Sequence, residues 1–139
     1  MKVNIYVYQT IRGPRRQQGY GIAVLEAETA NGPVTKTVRM QVEGSENGAN
    51  LKALNNALNH LKAGCDLNIY TESVWLTTAL TEWLPIWRGK EYLSAKNEKV
   101  AFSDIWQNVG NILEKQNMTV FCKNEHPYRE WLKKNAKTA

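Results

Sequence analysis

Three arginines crowd into five positions, Arg12, Arg15 and Arg16, just after an alternating run that reaches Tyr8. Guanidinium groups so placed suit a polyanion, because each offers phosphate oxygens a planar fork of donors. The same spacing also describes a loop that is only solvated. A lone acid, Glu72, closes a second apolar run, Ile69-Tyr70-Thr71. A carboxylate at a strand end can serve a catalytic site or simply sit in water, and its type alone does not decide between them. Histidine and cysteine chemistry is thin. His60 and His126 are too few for a histidine-based metal site, and Cys65 and Cys122 form neither a CxxC nor a zinc spacing. The cysteines are expected to be reduced and buried, which points to the cytoplasm.

The 139 residues, 42% hydrophobic, suit one globular domain over 1–139 with a single core. No stretch approaches the ~18 consecutive apolar residues of a membrane span, so no membrane partner is expected. Met1 to Tyr6 alternates like a strand and lacks the unbroken apolar block of a signal peptide. The net charge of +5 favours polyanionic partners such as nucleic acid, as steering rather than as recognition. It is uneven along the chain, gathered at Arg12, Arg15 and Arg16 and again at Lys133, Lys134 and Lys137.

The elements that must position these groups follow from periodicity. Val3–Tyr8, Tyr20–Glu28 and Val34–Glu43 read as three antiparallel strands, the last two joined through the hairpin signal Asn31-Gly32-Pro33. Asn47 is a candidate cap for a helix carrying Leu54, Ala57, Leu58 and Leu61, which Gly64 stops. Leu67–Thr71 reads as a short strand after a helix, which implies a parallel crossover. Ser73 caps a helix to Leu80, and a second short helix holds Trp83, with Pro85 limiting its start or bending it. Ile105, Trp106, Val109, Ile112 and Leu113 mark a further amphipathic helix, Met118–Cys122 a fifth strand, and Tyr128–Lys137 a terminal helix. The reading is α/β (α+β): a five-stranded mixed sheet in the order βββαβααα-βα with helices on both faces.

In order and register, the first strand, Gly19-Tyr20-Gly21, Thr71-Glu72-Ser73, Trp83, Trp87, Asp104-Ile105-Trp106-Gln107 and His126-Pro127 resemble ribonuclease H over nearly the whole chain. The resemblance implies a site in which four carboxylates hold two Mg²⁺ ions for cutting the RNA of a hybrid. At those positions this chain has Tyr8, Asn50, Glu72 and, anchored on His126-Pro127, Lys133. Tyr8 is a neutral phenol at pH 7 and Asn50 an amide, so neither supplies charge. Glu72 is longer by one methylene than the family aspartate, and Lys133 reverses the sign. At ~5 Å and an effective dielectric near 20, each unit charge is worth roughly 6–7 kcal/mol against a divalent ion before solvent screening. Losing three acids is therefore expected to abolish paired-metal binding, and no metal ligand and no cofactor is predicted. The loop histidine that aids product release in the family falls on Glu125.

The resemblance also implies a nucleic-acid surface. Trp83 falls in the groove position, although the core of an amphipathic helix accounts for it as well. Arg88 and Lys90 open the basic protrusion that runs to Lys99, whose net charge is only +2. Ser45, Asn47 and Ser73 fall where the family meets the DNA strand, beside Arg12, Arg15 and Arg16. Three functions follow. The first is a catalytically degenerate ribonuclease H-like protein that binds a hybrid or duplex. The second is an active Mg²⁺- or Mn²⁺-dependent nuclease in which Glu46, Glu125 or Glu130 joins Glu72. The third is a protein-interaction or assembly module that kept the fold and lost the chemistry.

Overall fold

A computed structural model describes residues 1–136; Lys137, the expected end of the terminal helix, lies outside the described residues. Apolar and polar residues alternate along β1 (Lys2–Gln9), so Val3, Ile5 and Val7 face one side of the sheet and Tyr6 and Tyr8 the other. β2 (Gln17–Thr29) and β3 (Gly32–Gly44) run antiparallel to it and to each other. Their turn is Ala30-Asn31, one residue ahead of the expected signal. Gly32 follows it at φ +102°, a left-handed value that glycine adopts without strain. Pro33 is already in β3, an edge strand, where a missing N–H is tolerated.

β4 (Asp66–Thr71) lies parallel to β1, and β5 (Asn117–Cys122) parallel to β4, giving the order β3-β2-β1-β4-β5. β1 and β4 are therefore the central neighbours from which the chain departs to opposite sides. In an open sheet, ligands bind past the carboxyl ends of strands at such a switch point. Gly19 secures the start of β2 there. A Cβ on it would stand 2.6 Å from Thr10 Oγ1 and 2.7 Å from Ile11 Cγ1, too close for any side chain.

Helix α1 (Glu46–Leu58) lays Leu51, Leu54, Ala57 and Leu58 on the Val3–Ile5–Val7 face, all of them buried. Each leucine there contributes about 1.5–3 kcal/mol by leaving water. Its cap is Ser45, whose hydroxyl accepts from Gly48 N at 3.3 Å, and Asn47 sits in the first turn instead. Ser73 caps α2 (Val74–Thr78) as expected, accepting from Leu76 N at 3.0 Å. Trp83 does not begin a separate helix. It ends a π-helical turn, Ala79–Trp83, in which Leu84 N bonds back to Ala79 O, and α3 (Leu84–Gly89) continues from it. Pro85 offers no N–H and its ring would crowd the carbonyl four residues back, which the wider turn accommodates. α4 (Ser103–Leu113) completes this layer through Trp106, Val109 and Leu113. The opposite face carries α5 (Arg129–Asn135), docked through Leu132 and Ala136. Cys65 is buried as expected, whereas Cys122 is exposed, because β5 is the other edge of the sheet.

Candidate functional site

Two residues beyond the Tyr6–Tyr70 pair, β1 reaches Tyr8 and β4 runs out at Glu72. Between these ends and the first turns of α1 lies a cavity of about 130 Å³, walled by Tyr8, Gln9, Arg12, Glu46, Asn50, Glu72 and Ser73 together with Val7. The fold thus brings together Tyr8, Asn50 and Glu72, three of the four positions singled out by the resemblance.

Tyr8 is half-buried; its hydroxyl receives Arg12 Nη2 at 3.2 Å and its ring lies 5.5 Å from the Arg12 guanidinium carbon. Asn50 is buried, and its amide nitrogen donates to the Glu46 carbonyl one turn back, at 3.0 Å. Glu46 holds the β1–β2 loop from both directions. Gly13 N donates to its Oε1 at 2.8 Å, and its own backbone N donates to Gly13 O at 2.9 Å. Gln9, buried, turns its side-chain oxygen onto Ile11 N at 2.6 Å.

Glu72 faces α5, but its partner there is not Lys133. Arg129 Nε lies 3.7 Å from Glu72 Oε1, and Arg129 Nη1 lies 3.6 Å from Glu130 Oε1. Lys133 is exposed, one helical turn further along, and does not wall the cavity. Sequence reasoning misses Arg129, because anchoring the terminal helix on His126-Pro127 alone places Lys133 at the site. Spacing could have found it, since Arg129 and Lys133 share a helical stripe. Glu125 is exposed and Glu130 is 83% exposed, and neither reaches the cavity. His126 packs its ring 4.7 Å from that of Tyr6. Burial pushes its pKa below the usual histidine value, with the nearby Glu72 opposing that shift and Arg129 and Lys123 adding to it.

The chemistry of the donor set bears on the ions used by the resembled family. Mg²⁺ needs a near-octahedral shell of oxygens, mostly anionic or water. Here the Glu46 carboxylate receives a backbone amide, Glu72 has the Arg129 guanidinium 3.7 Å away without a hydrogen bond to Nε, and the Arg12 guanidinium stands in the same cavity. Among the described residues no group of three or more His, Cys, Asp or Glu side chains could hold a metal ion. These residues do not fit a pair of divalent ions.

The other candidate residues divide. Arg15, Asn47 and Lys90 are exposed, and Ser45 and Ser73 are committed to helix caps through their acceptor lone pairs. Arg16 is exposed and paired with Glu43 at 3.0 Å, an arrangement that lowers the Glu43 pKa first through the hydrogen bond and then through charge. Arg88 turns away from solvent and donates to Gly110 O at 3.2 Å. Trp83 is half-buried in an aromatic group, its ring centroid 6.5 Å from Trp75 and 5.9 Å from Trp87.

The family model for RNase H matches residues 1–126. Ribonuclease H of Cupriavidus pinatubonensis is 28% identical over 132 residues, covering 93% of this chain and 88% of that protein. Ribonuclease H of Francisella tularensis subsp. novicida is 33% identical over 87 residues, covering 59% of this chain and 57% of that protein, so that match spans little over half the relative's length. Among solved structures, LC9-RNase H1, described as a type 1 RNase H with the type 2 active-site motif, superposes with a TM-score of 0.70 at 17% identity, over 99% of this chain and 71% of that one. The foamy viral protease-reverse transcriptase in complex with RNA/DNA hybrid superposes with a TM-score of 0.70 at 13% identity, over 99% of this chain and 19% of that one. At such identities the structures establish the ribonuclease H fold, and the family match supplies the rest. The chain belongs to the ribonuclease H family.

Proposed function

We propose that this protein binds nucleic acid, as an RNA/DNA hybrid or a duplex, and does not cut it by a paired-metal route. The observation that carries the proposal is the donor set at the family's four positions. Glu72 is the one acid kept there, exposed on the cavity wall with Arg129 Nε 3.7 Å away, while Tyr8 and Asn50 bring no charge and Lys133 stands outside the cavity. Arg15, Lys90 and Asn47 are exposed and available to phosphates. That a foamy viral enzyme of the same fold was solved with an RNA/DNA hybrid supports this class of partner. A cytoplasmic setting suits the unpaired cysteines, and among the described residues no helix is long and apolar enough to cross a membrane. No cofactor is required in this reading.

A second reading rests on Glu46, which walls the same cavity as Glu72 and can supply a second acid to a single divalent ion. One assay separates the two. Labelled hybrid is incubated with the protein in Mg²⁺, in Mn²⁺ and in chelator. The expected result is retention in all three without fragments. Cleavage in either metal that Glu72→Gln abolishes would establish the second reading instead.

A further inference from the structure

An apolar groove of about 250 Å³ lies at the other end of the sheet, walled by Val3, Leu25, Ala27, Val34, Leu61 and Cys65. Val3 stands near the start of β1 and Cys65 just ahead of β4, the two strands whose far ends hold Tyr8 and Glu72. From Val3 to Tyr8 the strand extends roughly 17 Å. The floor is buried, but Val34 on the edge strand is 59% exposed and Met1 beside it 71% exposed. The apolar surface is thus continuous from floor to lip instead of scattered.

The rim is cationic. Lys36 and Lys62 line it, and Lys36 Nζ donates to His60 Nδ1 at 3.0 Å, an imidazole where a carboxylate would neutralise it. Among the described residues no carboxylate lies within 4.0 Å of either ammonium. The acids next to lining residues in the chain alternate onto the other face of the sheet. There Glu26 accepts from Asn4 and Tyr128, Glu28 lies 3.9 Å from Lys2, and Asp66 accepts from Asn117. The last carbonyls of α1, whose partial charge would oppose an anion, already receive Asn59 N and His60 N.

A slot this size holds one large side chain, not a drug-sized ligand. A nucleic acid would match the rim but has no aliphatic group for the slot. We propose that the groove docks a protein partner through an acidic segment that carries one large apolar side chain. That side chain enters between Val3, Leu25 and Leu61, and carboxylates on either side of it meet Lys36 and Lys62. The proposal stands apart from the nucleic-acid reading, because the groove shares no residue with the cavity at Tyr8.

The probes are the fluorescent peptide Ser-Asp-Asp-Leu-Asp-Asp-Ser and its Phe counterpart, read by anisotropy on the full chain. At least one is expected to bind, and Ala in place of its Leu or Phe to weaken binding about ten- to hundredfold. Val34→Asp, which sets a carboxylate at the lip, is expected to abolish binding. Lys36→Gln combined with Lys62→Gln is expected to weaken it about tenfold and to flatten its salt dependence. Retention of a labelled RNA/DNA hybrid is expected to be the same in these variants as in the unaltered protein. Failure of both peptides to bind the folded, unaltered protein would overturn the proposal. Equal binding of the Ala peptide would also overturn it, by reducing the contact to charge alone, as would binding that survives Val34→Asp. Self-association that Val34→Asp abolishes, with neither peptide bound, would assign the groove to a second copy of the chain instead.

Discussion

The two faces of the sheet are built on different chemistry. Beneath α1 the contacts are aliphatic, the tryptophans of that face being carried on α2 to α4: Ile5, Ala23, Ile69, Leu54 and Leu58 are fully excluded from solvent. Beneath α5 they are aromatic and polar. Tyr6 stacks on Tyr70 at 4.6 Å, Tyr70 on Phe121 at 4.9 Å, and Glu26 is shared between Asn4, at 3.0 Å, and the Tyr128 hydroxyl. Asn68 extends this network to Asn4 at 3.0 Å. The aliphatic face supplies most of the stability, because its worth follows the area removed from water. The polar face depends on geometry, since a buried donor or acceptor that loses its partner carries the full desolvation cost. Arg129, whose Nε lies 3.7 Å from Glu72, belongs to the second face and is held by a helix of 7 residues.

This contrast can be broken most severely on the aliphatic face. Leu54→Ala leaves a cavity against β1 and β2 and is expected to lower stability by about 2–5 kcal/mol, read as a fall in denaturant midpoint without a change in slope. On the polar face Tyr128→Phe strips Glu26 of one partner and should cost about 1–3 kcal/mol.

The same variant sharpens the comparison through pH. The Tyr128 pKa is raised from 10.0 to about 12, first by its hydrogen bond to Glu26 and then by burial. A phenol that loses its proton less readily in the folded state contributes stability that is complete below pH 10.0 and is lost as pH rises towards about 12. The alkaline limb of the stability profile should therefore flatten in Tyr128→Phe and persist in Leu54→Ala.

The smallest effect concerns His126, whose Nδ1 accepts from Tyr128 N at 3.2 Å. Its pKa is lowered by burial from 6.5, so the neutral ring is favoured in the folded state. That contribution is present above pH 6.5 and is lost as pH falls through the lower folded value. His126→Gln should lessen the decline in thermal midpoint below pH 6.5; an unchanged decline would assign it to other groups.

The aliphatic face was legible because alternation along β1 and the helical spacing of Leu54, Ala57 and Leu58 are local patterns. Gly19-Tyr20-Gly21 is legible only as part of the family pattern, and the reason for its first glycine, the close approach of Thr10 and Ile11, comes from the fold. The polar face was not legible. Asn4, Glu26, Asn68 and Tyr128 lie far apart in the chain, and nothing local in any of them announces a shared network. The sequence suggests a second short helix holding Trp83 because a π-helical turn leaves no spacing signature beside a proline. At the site, residue types revealed which acids were missing but not what replaced them. Arg12 and Arg129 are surface arginines by composition, and only the meeting of β1, β4 and α5 gives them partners.

The two-way bond between Gly13 and Glu46 has a consequence for recognition. It fastens the loop bearing Arg12 to the foot of a packed helix, so that side chain is presented on a braced platform and not on a swinging tether. A partner that meets it surrenders less loop entropy on docking, and the contact returns more of its intrinsic strength as affinity.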